Sequence, residues 1–311
     1  MPLDLALWQQ RFREDLLMRN GSPVTARGYI YELARFFAFL EDERIDSLSD
    51  ITRDVVEGYR RHIFYSRSQR GGPVSARTQS GRLSAVKAFL RYLARESYLL
   101  IDPGQGVDLP RGPRTLPRNI PNEQEVVRMV EAPNTATILG LRNRAILELL
   151  YASAIRNSEL LALQVSDVRF DRTEVHVRLG KGAKDRILPI GQEAAHWILR
   201  YLREARPHLI GRPDETALFL SSKKNRLGTI GLIALVAAAG ERAGIRQRMT
   251  PHALRHACAT HMLERGAELR HLQEFLGHES PDPTQRYARV VISDLRAMHK
   301  RFHPRERRQT A

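Results

Sequence analysis

The sequence has a single cysteine, Cys258, so no disulfide can form within the chain. A reducing, cytoplasmic home is the expectation. Cys258 lies among alanines in HALRHACATHML, which suits a buried structural thiol better than a nucleophile. No apolar run approaches the length of a membrane span, so no membrane partner is expected. The start, MPLDLALWQQRF, carries Asp4 and alternates apolar with polar residues. It lacks the basic beginning and long apolar stretch of a signal peptide. Acidic residues are also scarce: 35 Asp and Glu stand against 50 Lys and Arg, a formal charge of +15. Such an excess points to a polyanion, most simply nucleic acid. An RNA-binding role is not supported, because no RNP aromatic motif is found.

What is present begins with helices. Residues 3–19, 25–43, 51–67 and 75–96 read as four amphipathic stretches. Thr25 and Ser75 are candidate N-caps. In the second, Tyr29, Leu33, Phe36, Phe37 and Leu40 fall on one face. In the fourth, Leu83, Val86, Phe89, Leu90 and Leu93 form the apolar stripe, while Arg77, Arg82, Lys87, Arg91 and Arg95 bring one sign of charge with few acids between. A charged helix face is ordinarily just solvated, but this repetition favours phosphate contact. The stretch LPRGPRTLPRNIP, residues 109–121, makes a poor helix and a poor strand. It reads as an extended basic linker between residues 1–108 and 122–311. Its Arg111, Arg114 and Arg118 could follow a DNA backbone, or the segment could be a plain spacer.

Beyond the linker the pattern is mixed. Helices are expected at 122–132, 137–153, 157–163, 191–205, 228–243, 251–264, 268–276 and 292–300. Alternation in TEVHVRL (173–179) and DRILPI (185–190), around a Gly-Lys-Gly turn, predicts a small antiparallel sheet. The fold class is therefore mainly α with a small antiparallel β-sheet (α+β). The tail HPRERRQTA, heavily charged, is expected to be mobile.

Three segments carry candidate chemistry. In TPHALRHACATH, Thr250 can cap a helix with Pro251 in its first turn, and His252 and Arg255 share a face. His252 and His256 also invite a zinc reading. Ala253 stands where a metalloprotease needs glutamate, and no further ligands lie at sensible spacing, so no metal is assigned. His256 and His261 read as structural or surface histidines. In LLYASAIRNSELLAL, Arg156 follows an apolar run. It is either a salt-bridge partner of Glu159 or a guanidinium placed for a buried anion. In LGKGAKDRILPI, Lys181 sits between glycines, as at a surface hairpin or a phosphate-binding loop, but the Walker spacing is absent.

The ordered set Arg156, Lys181, His252-x-x-Arg255, Gly277-His278 and Tyr287, nine residues past that histidine, resembles the tyrosine recombinase/integrase family, in particular its Xer type. The resemblance covers essentially the whole chain. It implies a helical core-binding (SAM-like) DNA-binding domain followed by a catalytic domain. Departures are few: Ala154 stands where the family often has glycine, Pro283 where threonine is common, and Pro281 stiffens the hinge SPDPTQRY.

The resemblance implies that Tyr287 attacks a DNA phosphodiester, giving a 3′-phosphotyrosyl link and a free 5′ hydroxyl, without ATP, metal or other cofactor. The chemistry of the residues suits this. Arg156 and Arg255 can grip the non-bridging oxygens of a pentacoordinate state. His252 and His278 can donate further bonds or move the tyrosine proton. A free phenol titrates near pH 10, and neighbouring arginines favour its ionised form. Lys181 is the candidate general acid for the leaving oxygen, and Glu159 the residue that orients Arg156 or a histidine. The implied partner is double-stranded DNA with inverted-repeat sites, bound by a tetramer of this chain or with a second recombinase. The last helix, with Val290, Val291, Ile292, Leu295 and Met298, packs either on a neighbour or on its own core. A type IB topoisomerase and a non-cleaving architectural DNA-binding protein are the rival readings.

Overall fold

The computed structural model describes residues 4–19, 23–68, 71–112, 120–178, 185–277 and 292–309. It divides into two compact units, Met1–Leu116 and Pro117–Ala311, with the boundary inside the 109–121 stretch. None of the described helices is long and apolar enough to cross a membrane.

The first unit is helical. It contains α1 (Leu5–Met18), α2 (Pro23–Asp42), α3 (Arg53–Tyr65) and α4 (Ala76–Arg95). Its core is unusually aromatic: Trp8, Phe12, Phe36, Phe37, Tyr59 and Phe89 are all buried. Edge-to-face contacts lock them together, with Phe36–Tyr59 centroids 4.9 Å apart and Phe37–Phe89 5.5 Å apart. The predicted α4 stripe is the face that packs inward: Leu83, Val86, Phe89, Leu90 and Leu93 are fully buried. Ser75 caps α4, its hydroxyl accepting from the Thr78 amide at 3.2 Å. Thr25 is not a cap. Helix α2 already begins at Pro23, whose fixed φ and missing N–H suit a first turn, and Thr25 lies inside it.

The second unit surrounds α6 (Ile138–Ser153), whose residues from Gly140 onward are buried except for the half-buried Asn143. Around it lie α5 (Glu123–Glu131), α7 (Asn157–Ala162), α8 (Gly191–Arg200), α9 (Arg206–Leu209), α10 (Thr229–Arg242), α11 (Pro251–Glu264), α12 (Leu269–Leu276) and α13 (Ile292–Phe302). The helix expected over 191–205 departs from α geometry at Tyr201, through a wide π turn at Tyr201–Ala205. The predicted sheet is present and antiparallel, with strand order β1 (Val168–Arg169), β2 (Glu174–Val177), β3 (Arg186–Pro189). Val175 faces Leu188 and Val177 faces Arg186 across the β2–β3 ladder. The Gly-Lys-Gly turn between them lies outside the described residues.

A buried histidine helps knit this core. His261 is buried between the Tyr151 hydroxyl (2.9 Å) and the Pro121 carbonyl (2.9 Å). Its Nε2–H donates to Pro121, so Nδ1 accepts from tyrosine. Burial lowers its pKa and keeps it neutral. His256, by contrast, is exposed. Cys258 is fully buried, and burial pushes its thiol up to about 12.

The expectation of a mobile tail is corrected over residues 303–306. Pro304–Gln309 forms a short 3-10 turn, and His303 and Arg305 are buried. The cause lies in α6, where Glu148 is fully buried and needs a counter-charge. Arg305 supplies it through Nε (3.1 Å) and Nη2, and Arg144 assists from one turn away. Leu295 and Met298 of α13 are buried in the unit's own core. Val290 and Val291, and the side chain of Ile292, lie outside the described residues.

Candidate active site

Helix α6 ends where its sequence turns small, in Ala152-Ser153-Ala154. Ala154 terminates it in the left-handed conformation, φ +46°, fully buried. A residue with a Cβ is strained there, which explains why glycine suits this position. The turn aims the Ala154 carbonyl at α11, where the Arg255 guanidinium donates to it through Nη1. It also sends the chain through Ile155 to Arg156, directly before α7.

Glu159, in the first turn of α7, accepts the Arg156 amide on Oε2 (2.9 Å) and the Arg156 guanidinium on Oε1 (2.9 Å). Arg156 is thus a salt-bridge partner of Glu159, yet its side chain remains 40% exposed. Its Nη2 donates onward to the Gly277 carbonyl at 2.7 Å. Arg255 Nη2 donates to the neighbouring Leu276 carbonyl at 2.6 Å. Two arginines far apart in sequence therefore meet at the carboxyl end of α12, where the helix dipole is negative. Gly277 caps α12 with φ +63°, and a Cβ there would lie 3.1 Å from the Arg186 guanidinium. Glycine is required both by the backbone and by this close approach.

Arg186, at the start of β3, was not singled out in the sequence. It forks onto Glu159, Nη1 to Oε1 at 2.8 Å and Nη2 to Oε2 at 2.7 Å. A signal was available: strand alternation puts Arg186 on the face of the fully buried Leu188, an unusual place for a charge. Burial pushes the Glu159 carboxyl up, but the bonds from Arg186 and Arg156 outweigh it and hold the group at about 2. The Arg255 pKa is also lowered, to about 10, first by burial and then by the Arg156 charge, which here disfavours the charged form.

His252 is exposed, one turn before Arg255 on α11, and Thr250 caps that helix at the Ala253 amide, 3.1 Å. Lys181, His278 and Tyr287 lie outside the described residues, as does the hinge SPDPTQRY. In the first unit, Arg77, Arg91 and Arg111 are exposed. Lys87 donates to the Val107 carbonyl, and Arg82 sits 3.5 Å from Glu32. Arg82 also lines a cleft with Arg35, His62 and Arg67. Arg114 and Arg118 lie outside the described residues.

A helical unit followed by a unit in which two arginines and a carboxylate gather at one helix end is the arrangement of a tyrosine recombinase. Residues 121–292 match the phage integrase family, and residues 10–97 match the phage integrase N-terminal SAM-like domain. The chain belongs to that family. It is 41% identical over 302 residues to tyrosine recombinase XerC 2 of Ralstonia nicotianae, covering 97% of this chain and 87% of the relative. It is 35% identical over 297 residues to tyrosine recombinase XerD of Pseudomonas putida, covering 95% and 96%. In fold it is similar to XerH recombinase bound to palindromic difH substrate, with TM-score 0.66 and 19% identity over 92% of this chain and 79% of that one. A lambda integrase dimer bound to a COC′ core site gives TM-score 0.66 and 18% identity over 94% and 100%. The chain is accordingly a site-specific DNA recombinase that cleaves and rejoins strands through a covalent tyrosine intermediate.

Proposed function

We propose that Tyr287 is the nucleophile, and that Arg156 and Arg255 hold the scissile phosphate for it. The supporting observation is that both guanidiniums reach the consecutive carbonyls of Leu276 and Gly277, at the point where the chain leads into His278 and the tyrosine-bearing segment. Each guanidinium has five donors in a planar fork. Arg156 therefore keeps N–H groups for a phosphate oxygen while Glu159 fixes its orientation. His252 and His278 donate to the same phosphate or move the phenol proton. Lys181 protonates the leaving 5′ oxygen, and the product is a 3′-phosphotyrosyl ester that another strand's 5′ hydroxyl reopens.

The partner in this reading is duplex DNA carrying inverted repeats, bound by four protomers or by this chain with a second recombinase, in the cytoplasm. The exposed Arg77, Arg91 and Arg111 and the cleft containing Arg82 support phosphate contact by the first unit. Arg114 and Arg118 are assigned to the backbone on composition alone. Lys87 is assigned a secondary part, because its ammonium already serves the Val107 carbonyl.

Covalent trapping tests the assignment. The full chain is incubated with nicked duplexes bearing candidate repeats, and SDS-resistant protein–DNA adducts are counted. Tyr287→Phe is expected to abolish the adduct and keep DNA binding. Arg156→Ala is expected to reduce its rate by about 10² to 10³-fold. An undiminished adduct in Tyr287→Phe assigns the nucleophile elsewhere.

A further inference from the structure

Resting on the reading just given, we propose that Arg186 is a positioning residue for strand cleavage: its fork on Glu159 ties the start of β3 to the Arg156 loop and, through Arg156, to the carboxyl end of α12. Nothing about the known reaction requires a third arginine here, and its role follows from where its bonds go.

Arg186 is the second described residue after the stretch that contains Lys181, so whatever holds Arg186 fixes the start of β3. Its two terminal nitrogens donate to one Glu159 oxygen each, at 2.8 and 2.7 Å. The same two oxygens take the amide and Nη1 of Arg156, each at 2.9 Å. The carboxylate is thus shared by two arginines and is itself only 6% exposed. Behind Arg186 the Gly277 backbone lies so close that a Cβ there would stand 3.1 Å from the guanidinium and push it aside. The start of β3, the residue before α7 and the end of α12 therefore meet around one carboxylate and its two arginines. A small cavity beside Glu159 is lined by Asp167 and Arg178, but these two pair with each other at 2.7 Å. The charged groups acting on Glu159 are Arg186 and Arg156, with Arg255 also close enough to feel its charge. Lysine cannot replace the fork, because an ammonium cannot make two parallel bonds to one carboxylate.

The test uses the full chain and single-turnover formation of the Tyr287 adduct on a nicked site, measured from pH 5 to 8. Duplex affinity and melting temperature are measured alongside. Arg186→Met and Arg186→Lys are both expected to cleave about 100-fold more slowly at pH 7, the usual scale for a misplaced catalytic group. Duplex affinity stays within about threefold, because Arg186 is kept from the phosphates by Glu159. With the fork gone, the Glu159 carboxyl titrates higher, so Arg186→Met gains a loss of rate toward pH 5 beyond that of the wild type. In Arg186→Met/Glu159→Gln that acid loss disappears, and the double variant is no slower than Glu159→Gln alone.

A purely architectural role predicts something else: losses that multiply, track melting temperature and show no new acid limb. Either that pattern or wild-type cleavage by Arg186→Met overturns the proposal. Should Arg186→Met fold poorly, Arg186→Lys, which keeps the charge, carries the rate, affinity and melting-temperature parts of the test. Failure of the underlying reading looks different, since the wild type would then form no adduct, or Tyr287→Phe would form one.

Discussion

Glu148 and Arg305 offer the sharpest check on how the second unit is held together. Glu148 sits on α6 with no exposure at all, between Arg144 and Arg305. Breaking a buried pair from one side costs about 3–5 kcal/mol, because a charge is left in a poor solvent. Arg144 remains 2.9 Å away in Arg305→Met, so the lower end applies, about 3 kcal/mol. For a unit of this size that is a fall of about 6–12 °C in the melting transition. Burial already raises the Glu148 pKa in the folded state. Removing Arg305 raises it further. A carboxylate whose folded pKa lies above its unfolded one binds more protons when folded, so stability rises as pH falls. The deficit of Arg305→Met against wild type should therefore be larger at pH 8 than at pH 5. Arg305→Met/Glu148→Leu removes the stranded charge and should recover much of the loss, though Arg144 then lacks one partner. Urea unfolding of the full chain, following the transition of the second unit, decides the matter. An Arg305→Met transition within about 0.5 kcal/mol of wild type at both pH values would show that the tail's ion pair is dispensable.

Three further substitutions probe the turns that aim the arginines. Ala154→Gly relieves about 1–2 kcal/mol of left-handed strain but loses chain entropy and a buried methyl, so urea unfolding should place it within about 1 kcal/mol of wild type. Ala154→Val, with a branched Cβ at φ +46°, should lose about 3 kcal/mol by the same measurement and cleave poorly, because the carbonyl that receives Arg255 moves. Gly277→Ala should cost about 1–2 kcal/mol in backbone strain and displace Arg186, so its single-turnover cleavage should fall by more than its stability accounts for.

Much of this was legible before any coordinates. The α4 stripe was readable because every member recurs at helical spacing, and the β2–β3 pair because alternation flanks a glycine turn. Strand β1 was not, since two residues carry no period. The tail was misread because charge density is a local property and burial is not. Arg305 is buried only because Glu148, 157 positions earlier, is stranded in an apolar helix. The Arg156–Glu159 pair is visible as a helix-start spacing of three. The Arg186–Glu159 fork spans 27 positions and two element types, and no local pattern announces it. His252 shows the opposite limit: spacing puts it on the Arg255 side of α11, yet Arg255 is buried and His252 exposed, because only one of them has carbonyls to reach.

The charge balance at the end of α12 explains why such a costly arrangement persists. Arg156, Arg186 and Arg255 gather there around a single carboxylate, Glu159. The carboxylate is fully committed, and Arg255 bears the consequence, its pKa drawn down to about 10 by burial and by the Arg156 charge. At neutral pH it is still protonated, so the folded protein carries a cation in surroundings that disfavour it. A second acid would neutralise the excess and stabilise the fold. The site instead satisfies its arginines with backbone carbonyls, which lower the cost without cancelling the charge. Carbonyl dipoles can give way to a phosphate, whereas a paired carboxylate would compete with it. A site optimised for stability alone would be neutral; in the proposed reading, the uncancelled charge is what a phosphodiester in transition would complete.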